Sequence, residues 1–567
     1  MANIDPVEVE VLRNRLISIV YEMGAVLRRT AYSPNIRERE DCSCILADTE
    51  GQIIAQAEHI PGHLGMLTVG MPYLLRFFPP ETWNPGDVVI FNTPEGGSHL
   101  PDIRIAVPLF YHEKLVGFSA NLAHHADVGG MTPGSMPSTS TELLQEGIII
   151  PCVKLYEKGV LSKGIIDIIL RNVRTPDERE GDLKAQIAAA QLGQKRIVEV
   201  IDRIGLDKWF LYKEEVLNYS ERLMRAKIKE KLPQGTFSAQ LYIDDDGFED
   251  QLIKIAVTVT TKGDHVKVDF SGTDLERKSG VNTVPSNPIS ATYFVVKGIV
   301  DPSIPVNAGC YRPIEINIPP KTIINPSPSA AVGAGNETWQ RIAETVISAF
   351  AKADPEIAKA PSHGCMNNIV FGGINPRNGR IYTYYETIGG GEGARCNKDG
   401  MDGVHVLGTN TMNTPVEVFE MCYPLSIEEY ELIPDSGGPG KYRGGLGIKR
   451  KYKVHDHTSI LTVNTDWIKQ KPDGLMGGGR GRHTRIIFNE GTKREMIPSF
   501  CKVIRNIQDG ETFTIYTGGG NGYGPPPGRP VELIEEDIRN EKVSPDQAEK
   551  DYGLSQRNKE REKCKSN

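Results

Sequence analysis

Half of the 12 histidines in this 567-residue chain fall within its first 125 residues, and several of them stand beside aspartates. The segment GGSHLPD offers His99 and Asp102, NLAHHADVGG offers His124, His125 and Asp127, and EREDCSCILAD supplies Asp41 upstream. Imidazole nitrogens and carboxylate oxygens together suit a divalent Mn, Fe or Zn ion, whereas an all-thiolate set would mark structural zinc. The spacing H-x-x-D, with Pro101 inside it, is not helical, so His99 and Asp102 would converge from a loop after the run DVVIF. The residues alone leave a plainer reading open: His124 and His125 as hydrogen-bonded core histidines, and the aspartates as turn residues. His59 and His63 lie in HIPGH, where Pro61 and Gly62 oppose a helix, and rank below the others as ligands.

The glycine-rich runs invite a nucleotide reading that the residues do not support. Gly440-Lys441 is followed by Tyr442 and lacks the upstream glycine of a P-loop, and no run completes G-x-G-x-x-G between a strand and a helix. G-x-S-x-G and H-E-x-x-H are absent as well. The glycines read as turn and packing residues, with Gly389 to Gly393, including Gly390 and Gly391, best placed to line a ligand. Glu386 and Arg395 flank that run and are candidates for gripping substrate or phosphate, since arginine can bind phosphate through a bidentate fork; a surface ion pair is the alternative.

Positioning such residues takes a scaffold. Apolar residues at Val9, Leu12, Leu16, Ile19, Val20, Met23 and Leu27 predict an amphipathic helix over about 7–29. DCSCILAD and DVVIF read as strands, and period-2 alternation puts Cys42 and Cys44 on one face as buried thiols beside a core. Helices are predicted over about 181–204 and 208–231, and strands joined by Asp-Gly and Lys-Gly-Asp turns follow Gly235. Beyond residue 380 glycine runs multiply, which predicts turns, loops and β-structure.

The expected fold is mixed α+β and multi-domain, because single cores stop growing at roughly 250–300 residues. The expected divisions are a helical, metal-site region at 1–234, a β-rich region with a helix at 235–380, a glycine-rich region at 381–555, and a charged, frayed tail at 556–567.

A net charge of -8 and a pI near 5.9 argue against a nucleic-acid partner. No apolar run approaches the roughly 20 residues that cross a bilayer, and the acidic start MANIDPVEVE lacks a basic leader, so a cytoplasmic protein is expected. Nine cysteines without a C-x-x-C pair accord with reduced thiols.

The chain resembles the hydantoinase B/oxoprolinase family over nearly its whole length. The resemblance rests on EREDCSCILAD, GGSHLPD, AHHADVGG, STELLQEGIIIPCVKL, NAGCYRPI, YYETIGGGEGAR, NTMNTPVEVFE, PDSGGPGKYRGGLG and GGGNGYG, in order. It implies that Asp41, His99, Asp102 and His124 hold one divalent transition metal. It also implies a larger partner, a hydantoinase A-type ATPase that uses ATP and Mg, and the prevalence of twofold symmetry makes A2B2 the expected assembly. The expected activity is hydrolysis of a cyclic amide such as a hydantoin, 5-oxoproline or a lactam, phosphorylated by the partner, with His125 or Asp127 orienting a ligand or accepting a proton. A subunit of an ATP-dependent ketone carboxylase, or a non-catalytic binding subunit, are the alternatives. One departure is local: the family commonly has N-D-P-Y before G-G-T-H-L-P-D, where this chain has Asn92-Thr93-Pro94-Glu95, which leaves the substrate open.

Overall fold

The computed structural model describes residues 4–57 and 59–566. It opens with a helix, Pro6–Thr30, started by Asp5, whose carboxylate accepts from Val7 N at 2.9 Å, and by proline in the first turn. Its buried stripe from Val9 to Leu27 is the one the spacing predicts.

That stripe rests on a seven-stranded antiparallel sheet. In chain order the strands are β1 (Cys42–Ala47), β2 (Ile53–Gln56), β3 (Val88–Phe91), β4 (Asp102–Tyr111), β5 (Lys114–His124), β6 (Val153–Glu157) and β7 (Val160–Leu161). Their spatial order is β2-β1-β5-β4-β3-β6-β7. Cys42 and Cys44 both join the core under the opening helix, as period-2 alternation requires. Helix Pro176–Ile204 covers β4 and β5 on that face, and helix Met66–Phe77 packs its Met66, Leu67, Met71 and Leu74 against the other. The first 234 residues thus form a helix–sheet–helix sandwich, in which DCSCILAD and DVVIF are strands as read from sequence.

Helices Pro176–Ile204 and Leu206–Lys231 meet at Gly205, whose φ of 83° breaks the run. The first starts earlier than its apolar pattern suggests, since Pro176 is tolerated in a first turn. Next come β8 (Gly235–Ile243), β9 (Ile253–Lys262), β10 (His265–Asp269) and β11 (Ile314–Asn317), a sheet in the order β11-β10-β9-β8. It packs on helices Ser286–Val300 and Gly335–Ala353.

The remaining strands are β12 (Asn368–Ile374), β13 (Ile381–Thr387), β14 (Leu425–Leu432), β15 (Ile448–Val454), β16 (Ser459–Asn464), β17 (Arg485–Phe488), β18 (Lys502–Ile507) and β19 (Thr512–Tyr516). They form two antiparallel sheets, β13-β12-β16-β18 and β14-β15-β19-β17, that share a core containing Phe371, Tyr384, Tyr452, Leu461 and Phe513.

The tail expected to fray is helical, Leu554–Ser566, restarting after left-handed Gly553 in a sequence of strong helix formers. Among the described residues no helix is long and apolar enough to cross a membrane, and the described cysteines are free.

Candidate metal centre

Three adjacent strands deliver the acidic and imidazole groups to one edge of the first sheet. Asp102 opens β4 and pairs directly with His124, the last residue of β5. Asp41 immediately precedes β1, whose Cys42 pairs with Ala123, and the Asp41 carbonyl accepts from His124 N at 3.0 Å. His99 comes from the turn before β4, where Asp102 N donates to its carbonyl at 3.2 Å.

His99, Asp102 and His124 each present a ligand atom within 4.8 Å of the others, and all three side chains are buried. Nε2 of His99 lies 3.4 Å from Oδ2 of Asp102, and the His99 and His124 rings are 4.9 Å apart. Asp102 Oδ1 and His124 Nε2 have no hydrogen-bond partner. Buried polar atoms are nearly always paired, so these two face a cavity suited to an electrophile. That cavity has a volume of about 40 Å³, and Asp41 and His63 also line it.

Burial holds His99 and His124 below the ordinary histidine range, the neutral form in which imidazole binds metals. Burial alone would raise Asp102, but His99, His124, His63 and Arg104 outweigh it and bring the carboxyl down to about 2. Asp41 goes the other way: burial raises it to about 7 despite the Arg39 guanidinium. The two carboxylates thus differ in proton affinity within one cavity.

The hydantoinase B/oxoprolinase family pattern matches residues 5–526. The chain belongs to this family. Its relatives include a putative D-/L-hydantoinase subunit of a Pseudomonas species, 34% identical over 98% of this chain and 96% of the relative. The 5-oxoprolinase of Dictyostelium discoideum is 34% identical over 92% of this chain, which spans only 40% of that longer protein. Among solved structures, the ATP-dependent caprolactamase of Pseudomonas jessenii superposes with a TM-score of 0.89 at 29% identity, covering 97% of this chain and 96% of the other.

Several family-suggested or sequence-suggested residues lie elsewhere in this hydantoinase B/oxoprolinase member. His125, one position past β5, turns to the opposite face of the sheet, where Nε2 meets Gln186 Oε1 at 2.9 Å and burial lowers it to about 4. Asp127 is spent on structure: it accepts from the backbone of Gly129, Gly134 and Arg174 and from the Arg174 guanidinium, at 2.9 to 3.1 Å. Neither reaches the cavity. Glu386 is wholly buried in the C-terminal sandwich, paired with Arg450 at 2.8 Å and bonded to Tyr384 and to Thr414 N, so it is not a substrate grip. Gly391 is a packing residue: a Cβ there would lie 2.0 Å from the Gly445 carbonyl oxygen, and at Gly390 one would strike the His363 ring. Arg395 pairs with Glu392 at 2.9 Å.

His63, ranked below the other candidates from sequence, does line the cavity, and Tyr385 and Arg39 beside it were missed. His63 reaches the cavity on the turn Pro61–His63, its Nδ1 2.8 Å from Ser43 Oγ and its Nε2 3.8 Å from Asp41 Oδ1. Tyr385 stacks on His124 at 4.5 Å, and Arg39 lies over the Tyr385 ring. His59, by contrast, packs on the opening helix at Gly24, edge-on to Tyr21. A second group with metal-like spacing, Asp244, Asp466 and Cys501, is already satisfied, by the backbone of Ile468, Lys469 and Gln470 and by Arg341 and Lys502.

Proposed function

We propose that this chain is the metal-holding subunit of an ATP-dependent enzyme that opens cyclic amides, working on a substrate whose carbonyl oxygen an ATPase partner has phosphorylated. The names of the Pseudomonas hydantoinase subunit and the caprolactamase support the reaction class. The observation that carries the site is the buried His99–Asp102–His124 cluster with unpartnered atoms facing a cavity. An A2B2 arrangement with the partner is the leading assembly, since twofold symmetry is the commonest.

The donor set fits a divalent transition metal: two neutral imidazoles and an ionised carboxylate, mixed nitrogen and oxygen without thiolate. His99, Asp102 and His124 would hold it, with Asp41 completing the set. When bound, such an ion polarises a carbonyl and can lower the pKa of water from about 15.7 to about 7.

The chain's own residues do the rest. Amide resonance makes the carbonyl carbon a poor electrophile, and phosphorylation of its oxygen removes that donation and creates a leaving group. Asp102, held ionised, anchors the anionic side of the site, while the Tyr385 ring fixes the plane of His124. Asp41, whose Oδ1 lies 3.8 Å from His63 Nε2, would join the ligand set as an ionised carboxylate.

Co-expression with an ATPase subunit, then a panel of cyclic amides and ketones with ATP, with and without bicarbonate, tests the reading. Ring-opened acid formed without bicarbonate supports it, and a carboxylated ketone that requires bicarbonate overturns it.

A further inference from the structure

Next to the metal cavity, and sharing Thr409 with it, lies a second cavity of about 700 Å³. The first, at about 40 Å³, has room for little beyond an ion and one or two waters. The second falls within the roughly 300–1,000 Å³ of ordinary ligand pockets.

Its polar wall is built. Lys359 and Arg395 face each other across an isolated antiparallel bridge, and Ala360 N donates to the Ala394 carbonyl at 2.8 Å. Both cations address one oxygen of Glu392: Arg395 Nη2 at 2.9 Å and Lys359 Nζ at 4.0 Å from Oε1. The other oxygen, Oε2, is buried with no partner, on a residue only 5% exposed. Burial raises the Glu392 carboxyl, but Lys359 and Arg395 outweigh this and keep it ionised. A buried carboxylate oxygen calls for a donor, and Oε2 makes no hydrogen bond of its own, although the Met401 backbone N–H also helps to keep this carboxyl ionised. Lys359 gives one hydrogen bond to Ser362 Oγ at 2.6 Å, and an ammonium has three to give. Phe294, Ile347 and Leu407 form an apolar wall in the same cavity.

We propose that this chamber binds a short amino acid as a zwitterion, its ammonium on Glu392 Oε2, its carboxylate on Lys359 and Arg395, and its hydrocarbon chain along Phe294 and Leu407. The assignment rests on the cyclic-amide reading. For a lactam, one water adds to the phosphorylated carbon, the C–N bond breaks with a proton passing to nitrogen, and a second water converts the resulting acyl phosphate to carboxylate and inorganic phosphate, so that one amine and one carboxylate end on the same chain. The chamber beside the metal cavity is where such a product would be held.

Calorimetric titration of the full chain decides it, with 6-aminohexanoate and glutamate compared against hexylamine, hexanoate and inorganic phosphate. One amino acid should bind saturably, one per chain, at least about tenfold more tightly than the amine or the acid alone, because each of those forfeits a charge-assisted hydrogen bond. Glu392→Gln and Lys359→Met should each weaken it by about tenfold to a hundredfold. Asp102→Ala should leave it unchanged. No saturable binding by the unaltered chain, equal binding of the amine or acid, tighter binding of phosphate, or unchanged affinity in both chamber variants would overturn the proposal. A chain that opens cyclic amides yet fails this titration removes the chamber alone. One that binds the amino acid but opens no ring with its partner removes the functional reading alone.

Discussion

Nε2 of His99 stands 3.4 Å from Oδ2 of Asp102, both side chains sealed from solvent at the edge of a sheet whose next strand ends in His124. Asp102→Asn keeps the shape of this pair and removes its charge. Metal affinity should fall by at least about tenfold, while far-ultraviolet dichroism and the unfolding midpoint of the metal-free protein stay close to those of the parent. Unchanged affinity would remove Asp102 from the ligand set.

Asp127 should behave as a structural residue. Asp127→Ala strands several donors that now converge on its carboxylate and should cost about 2–4 kcal/mol of stability. Metal content per folded chain should be unaffected. Loss of metal at full stability would return Asp127 to the catalytic set.

Glu386 and Arg450 form an ion pair with both side chains fully enclosed. Removing one partner leaves the other charge buried and alone, so Glu386→Ala should cost about 3–5 kcal/mol. In the folded fraction KM should hold. A raised KM with normal stability would place Glu386 at the substrate after all.

How much of this was legible beforehand depended on the kind of signal. Clustering of residue types in short segments picked out Asp41, His99, Asp102 and His124 together with His125 and Asp127, and the family resemblance singled out the first four, yet only the β4–β5 register shows Asp102 and His124 as direct neighbours. Period-2 alternation was enough to send His125 to the opposite face from His124, a step the sequence permits once β5 is read as a strand ending there. His63 was obscured because proline and glycine, which rule out a helix, are also what turns the chain back into the cavity. Glu386 looked exposed beside glycines because its partner Arg450 is distant in sequence and joins it only through the sandwich. Gly391, read from sequence as lining a ligand, stands instead where two backbone segments approach too closely for a side chain.

Stability should fall on mild acidification. Burial lowers His59, His63 and His125 to about 4 and His405 to about 3, against 6.5 for the free side chain, and it lowers His99, His124, His363 and His483 as well. A depressed folded pKa means that the unfolded chain binds more protons between these values, so the stabilisation is complete above about 6.5 and is lost as pH falls toward 4. Asp41, Glu146 and Glu337, raised by burial to about 7, and Asp244, raised to about 6, act oppositely, but the lowered histidines outnumber them. Scanning fluorimetry should show a lower midpoint at about pH 5 than at about pH 7.5. The reverse order would mean that the buried carboxylates dominate.

The most direct measurement is elemental analysis of the purified chain, before and after chelation, paired with ring-opening assays in the presence of the ATPase partner. About one Mn, Zn or Fe per chain is expected, with metal and ring opening lost together in the chelated protein and in His99→Ala and His124→Ala, and both restored to the chelated parent by re-addition. A chain that carries no transition metal and opens rings at full rate in chelator would contradict the assignment of this site.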